Sequence, residues 1–131
     1  MHDQIILGFH HIAIITADYP KSKRFYCEIL GAKIVSEQYR EERQSYKLDL
    51  QFADGSQIEL FSFPNQPPRP TTPEACGLRH LAFRVADLNQ AVAFLAANAI
   101  ECELIRRDPL TQKRFTFFRD PDNLPLELYE S

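Results

Sequence analysis

A chain of 131 residues that is 44 % apolar and 25 % charged has the length for one compact domain with a sizeable core, and its composition excludes extensive disorder. Fifteen basic and 18 acidic residues give a net charge of −3 with both signs interspersed, which excludes the field that would gather nucleic acid or anionic lipid. The start, MHDQIILGFHH, has neither the basic region nor the apolar run of a signal peptide, and no stretch of about 18 apolar residues occurs, so a cytoplasmic protein is expected. Cys27, Cys76 and Cys102 form an odd set without a close pair, which fits reduced and mostly buried thiols better than disulfides or a thiolate zinc site.

The first strand is expected in FHHIAII, where Ile12 and Ile14 share one face and His11, Ala13 and Ile15 the other. An amphipathic helix follows over 21–30, introduced by Pro20 and closed by Gly31 in a left-handed cap, with Phe25, Cys27 or Ile29, and Leu30 on its apolar side. Strands are expected at 33–40, 45–53 and 57–63, the last two joined by the turn signal Asp54-Gly55. Residues 64–77, PNQPPRPTTPEACG, hold five of the nine prolines and no apolar period, and read as an extended connector.

The chain then repeats the plan. RHLAFRV opens a fifth strand with Leu81, Phe83 and Val85 opposite His80, Ala82 and Arg84, and a helix over 88–98 follows, capped by Asp87 at its start and by Asn98 at its end. Its apolar side is carried by Ala91, Val92, Leu95 and Ala96. Strands at 100–106, 113–119 and 125–130 complete it, with DPDN at 120–123 as the turn between the last two. Displaced by 69 positions, Gly8 falls on Gly77, His11 on His80, Ala13 on Ala82, Asp18 on Asp87 and Phe25 on Phe94. The expected fold class is therefore α+β: one domain, 1–131, of two βαβββ modules, 8–63 and 77–130, joined by the proline-rich linker 64–76.

Four chemistry-bearing side chains stand at matching places: His11 and Glu59, 48 residues apart, and His80 and Glu127, 47 apart. Ile58 and Leu60 point away from Glu59, and Leu126 and Leu128 from Glu127, so each carboxylate sits on the polar-facing side of a strand built for burial and needs a partner. A divalent ion would satisfy all four, since two imidazoles and two carboxylates suit zinc, nickel, iron, cobalt or manganese. The alternative, four isolated side chains with separate polar partners, needs no metal. His10 points to the opposite side from His11 and matches Arg79 in the second half; His2 lies at the terminus. Arg114 shares a strand face with Thr116, opposite Phe115 and Phe117, and is the candidate for holding an anionic part of a substrate; Lys47 and Asp49 share a parity in the matching strand, and Arg106-Arg107 reads as a solvated strand end.

HHIAI at 10–14, SKRFYCEILG at 22–31, IELF at 58–61, GLRHLAF at 77–83 and FRDPDNLPLELYE at 118–130 together resemble the vicinal oxygen chelate superfamily, which includes the glyoxalases, bleomycin-resistance proteins and extradiol dioxygenases, and especially a glyoxalase-I-like subgroup of small bacterial proteins. The resemblance implies curved mixed sheets of two pseudo-twofold-related modules enclosing a cleft, with a divalent metal ion on His11, Glu59, His80 and Glu127. It implies a lyase or isomerase that turns a small α-oxo compound or thiol adduct through an enediolate, with Glu127 as the main base and Glu59 assisting or exchanging roles. Thiol transfer or epoxide opening in the same superfamily, and sequestering of a small molecule without catalysis, are the alternative functions. The partner is a small-molecule substrate rather than nucleic acid or membrane, and the cleft forms within one chain or across a homodimer. Ile15 and Phe63 stand where glutathione-dependent members carry an arginine and an asparagine.

Overall fold

The computed structural model describes residues 4–131, so His2 falls outside it. The chain divides into two compact units, with the boundary between Gln66 and Pro67. The first contains β1 (Ile12–Thr16), α1 (Tyr19–Arg24) running into a π-helical turn (Phe25–Ile29), β2 (Lys33–Arg40), a 3₁₀ turn (Glu41–Arg43), β3 (Ser45–Gln51) and β4 (Gln57–Ser62). The second contains β5 (Leu81–Val85), α2 (Leu88–Ala97), β6 (Arg106–Arg107), β7 (Arg114–Arg119) and β8 (Pro125–Glu130). Each forms a four-stranded mixed sheet of the same topology, β1-β4-β3-β2 and β5-β8-β7-β6, with the first strand parallel to the last and the remaining pairs antiparallel. The two modules are thus copies of one βαβββ plan. No helix among the described residues is long and apolar enough to cross a membrane.

The alternation read from sequence sorts the faces. Ile14 of β1, Leu48 and Leu50 of β3, and Ile58 and Leu60 of β4 are buried in the first module, and Phe118 of β7 and Leu126 and Leu128 of β8 in the second. Gly8 and Gly77, the glycines of the repeated phrase, adopt φ of 147° and 123°, a region that strongly favours glycine, so the phrase recurs because each module enters its first strand by the same backbone bend.

Several local expectations are corrected. The first helix starts two residues early, because the Asp18 carboxylate accepts from the Lys21 amide and caps it, just as Asp87 does at Gln90 for α2. It then widens into a π-turn closed by the Leu30 amide on the Phe25 carbonyl, and this brings the successive residues Phe25 and Tyr26 both into the core, where a regular helix would turn one of them outward. Phe94, the repeat partner of Phe25, is instead 50 % exposed, and Leu88 and Leu95 anchor α2. The left-handed residue after α2 is Ala99, φ 63°, while Asn98 keeps a negative φ and donates its side-chain amide to the Phe94 carbonyl.

The strand expected over 100–106 shrinks to Arg106–Arg107. The Glu103 amide still reaches the Phe117 carbonyl, but the Glu103 carbonyl is taken by the Thr116 hydroxyl, so a side chain competes with the ladder there. The proline-rich stretch is more than a connector. Arg69 donates to the Leu78 and Arg79 carbonyls and Thr71 to the Asn123 carbonyl, which folds its second part onto the second unit. All three cysteines are free; Cys27 and Cys102 are half-buried, their thiols pushed up by burial, but Cys76 is exposed, against the expectation of a mostly buried set.

Candidate metal centre

In the first module the β1–β4 register sets Ala13 opposite Glu59, and His11, two residues before Ala13, falls on the same face. Its Nε2 lies 3.4 Å from Glu59 Oε2. In the second module Ala82 is opposite Glu127, and His80 Nε2 lies 3.1 Å from Glu127 Oε1. The repeated alanine now has a reason. It flanks each glutamate with a single methyl group, which leaves the carboxylate open to the histidine arriving from the strand's start. Both pairs lie on the sheet face away from the buried leucines, and both glutamates are only half-buried.

The surroundings of the two pairs differ. Across β3, Asp49 is opposite Glu59 and Lys47 opposite Phe61. The Lys47 ammonium sits 2.9 Å from Asp49 Oδ1 and 3.7 Å from Glu59 Oε2, so Glu59 shares a cation with a neighbouring carboxylate. In the second module the corresponding positions are aromatic. Phe117 is opposite Glu127 and Phe115 opposite Tyr129, with the His80 ring edge-on to Phe117 at 5.1 Å. Arginines lie over both aromatic rows: Arg40 over Phe61 and Arg43 over Phe63, and Arg106 5.0 Å from the centre of Phe115. Ile15 and Phe63 present only apolar surface on the first module's face, Phe63 stacked against Phe61.

Arg114 is placed elsewhere. Its parity turns it toward α2, where its guanidinium pairs with Glu130 at 3.2 Å and reaches Asn89, on the opposite side of the sheet from His80 and Glu127. Arg106, expected to be a solvated strand end, instead shares the face of His80 and Glu127, paired with Phe115 across the strands. His10 stays beside His11, their Nδ1 atoms 2.9 Å apart.

Donor chemistry and spacing allow each pair to supply two donors to a divalent ion. Two donors bound cis on one ion at its usual bond lengths stand about 3 Å apart, which is the separation of the His80–Glu127 atoms and close to that of His11–Glu59. Among the described residues no group of three or more His, Cys, Asp or Glu side chains is gathered closely enough to hold a metal ion. Each module therefore presents two such donors.

Asp49 gives the site an acid limb. Burial alone would raise its carboxyl, but the bonds from the Lys47 ammonium and the Ser36 hydroxyl outweigh it and hold the group below its ordinary value. A carboxyl depressed on folding stabilises the protein above the unfolded value, about pH 4, and loses that contribution as pH falls through the folded value. Acid unfolding followed by circular dichroism is accordingly expected to set in below about pH 4, and Lys47→Met to move its onset upward; an unchanged onset would show that this pair adds nothing.

These features have a family behind them. Residues 8–128 match the profile of the Glyoxalase/Bleomycin resistance protein/Dioxygenase superfamily, and the chain belongs to it. It is 64 % identical to the uncharacterized protein YaeR of Escherichia coli (strain K12) over 92 % of this chain and 94 % of that one. Among solved structures it is similar to a glyoxalase family protein from Enterococcus faecalis, with a TM-score of 0.89 and 44 % identity over 97 % of this chain and all of the other (100 %). The fold is shared more distantly with the fosfomycin resistance protein FosX of Listeria monocytogenes, solved with Mn(II) and a sulfate ion: TM-score 0.74 and 22 % identity over 97 % of this chain and 94 % of FosX.

Proposed function

We propose that the protein is a divalent-metal-dependent lyase or isomerase of glyoxalase type, acting on a small α-oxo compound or its thiol adduct, with His11, Glu59, His80 and Glu127 as the metal ligands. The observation that carries this reading is the histidine–glutamate pair built twice, on the same face of two sheets of the same topology, with donor atoms 3.4 and 3.1 Å apart. Membership of a superfamily that includes enzymes, and the Mn(II) of the distant FosX structure, support a metal-assisted transformation of a small molecule.

A bound divalent ion would stabilise the negative charge that develops on two neighbouring oxygens as a carbon-bound proton leaves. The chain's own residues supply the rest. Glu127 takes the proton from carbon and returns it to the adjacent carbon, as a general base and then acid. Lys47 lies 3.7 Å from Glu59 and occupies one side of that carboxylate, while Glu127 has Phe117 and the His80 ring beside it and, among the described residues, no cation paired with it in the corresponding place, so the asymmetry of contacts favours Glu127 as the group that exchanges a proton. Phe115 and Phe117 keep bulk water from that side of the reacting carbon. Ile15 and Phe63 offer no polar contact to glutathione, which points to a smaller adduct or to another thiol.

The test is a screen of the metal-loaded protein against hemithioacetals of small α-oxoaldehydes with several thiols, glutathione included, run in deuterated water. Conversion to an α-hydroxy thioester with altered deuterium content at the α-carbon is expected for at least one non-glutathione adduct. Saturable binding without turnover across the series would instead favour a ligand-sequestering protein.

A further inference from the structure

The second module carries a pocket that the reaction above does not use. It is lined by Arg69, Arg79 and Arg119, with Glu74 as its one carboxylate and Thr71 and Thr72 as neutral polar neighbours. Three guanidiniums against one carboxylate leave an excess of two positive charges in one concavity, and such a gathering is stabilised by an anion that can take charge-assisted hydrogen bonds from the forks. The arginines are held in place by their own partners. Arg69 donates to Thr71 Oγ1, 3.0 Å, and to the Leu78 and Arg79 carbonyls; Arg79 pairs with Glu74; Arg119 Nη1 reaches Asn123 Oδ1, 3.0 Å. These bonds leave N–H groups of Arg79 Nη2 and of Arg119 Nε and Nη2 for a ligand.

Its location gives the pocket a role. Arg119 pairs with Pro125 in the β7–β8 register, two residues along from the Phe117–Glu127 pair, so it lies on the same sheet face as Glu127 and about 7 Å further along the strands. Arg79 directly precedes His80, with Nη1 3.2 Å from that ring's Nδ1. A molecule anchored here by one end has the histidine–glutamate pair within reach of a short chain.

We propose that the pocket binds a small oxyanion, the carboxylate or phosphate group of a substrate whose other end reaches His80 and Glu127. The second half of this statement rests on the function proposed above; the first does not. A thiol adduct with a terminal anion, or a phosphorylated α-oxo compound, then becomes the preferred substrate class.

The test is titration of the full chain at low salt with inorganic phosphate and, separately, acetate, followed by amide chemical shifts of residues 69–79 and 119–125. At least one anion is expected to bind with one-to-one stoichiometry and to weaken as salt is raised. Arg119→Ala should cost about tenfold or more in affinity and Arg119→Lys less, because a lysine keeps the charge but loses the fork. Preference for phosphate or for acetate identifies which group the substrate carries. Glu127→Gln separates the two claims: phosphate binding unchanged in that variant keeps the pocket whatever becomes of the reaction, while its loss would place the anion on the metal centre. No shift changes in the pocket up to about 10 mM of either anion, or equal affinity in Arg119→Ala, overturns the proposal.

Discussion

Glu127→Gln is expected to lower turnover of the metal-loaded protein by about 10²–10⁴-fold, the range for removal of a positioned general base, while leaving the thermal midpoint within a few degrees of wild type. The side chain is 12 % exposed and its described partner, His80, is 28 % exposed, so an amide of the same shape can keep a hydrogen bond to the histidine. Glu59→Gln should bind metal more weakly but keep more activity, since Lys47 and Asp49 already share the polar work on that side. Steady-state kinetics with metal content measured on the same samples separates loss of the base from loss of the ion. Chelation should abolish wild-type activity, and added metal should restore wild type but not Glu127→Gln.

Leu126→Ala should be strongly destabilising. Leu126 is completely buried, at 0 % exposure, between Leu81 on the parallel neighbour and Phe118 on the antiparallel one. Truncation there removes buried carbons and leaves a cavity, at a cost of about 2–5 kcal/mol. Against a typical domain stability of about 5–15 kcal/mol, that is enough to leave a measurable unfolded fraction near body temperature. Leu126→Met, which nearly conserves volume, should cost less than about 1.5 kcal/mol. Urea midpoints read both. Because Leu126 and Glu127 are successive residues of one strand, relaxation around the cavity also shifts the carboxylate, and the alanine variant should bind metal more weakly even where it is folded.

The fold was legible because both of its signals are local. Alternation in FHHIAII, IELF and RHLAF settles which side chains go inward, and the turn signals Asp54-Gly55 and DPDN set hairpin registers that place Asp49 beside Glu59 and Phe117 beside Glu127. The histidine–glutamate pairs follow from the same parity. What sequence did not disclose was tertiary. The π-turn that buries Tyr26 depends on how the helix meets the sheet. The shortened sixth strand depends on the Thr116 hydroxyl taking a carbonyl. The place of Arg106 above Phe115 is a contact across strands, which a charged doublet at a strand end does not announce; Arg114 shares the face of Thr116 and Glu130, away from Glu127. The three arginines of the pocket lie 10 and 40 residues apart along the chain and share no motif.

Cobalt(II) titration of the metal-free protein, read by visible absorption, most directly tests the proposal that His11, Glu59, His80 and Glu127 hold one ion. One break at a single equivalent, lost in His11→Ala, Glu59→Ala, His80→Ala and Glu127→Ala alike, is the predicted result. A break at two equivalents, with each half of the chain losing its own ion independently, or no cobalt spectrum at all, would contradict it.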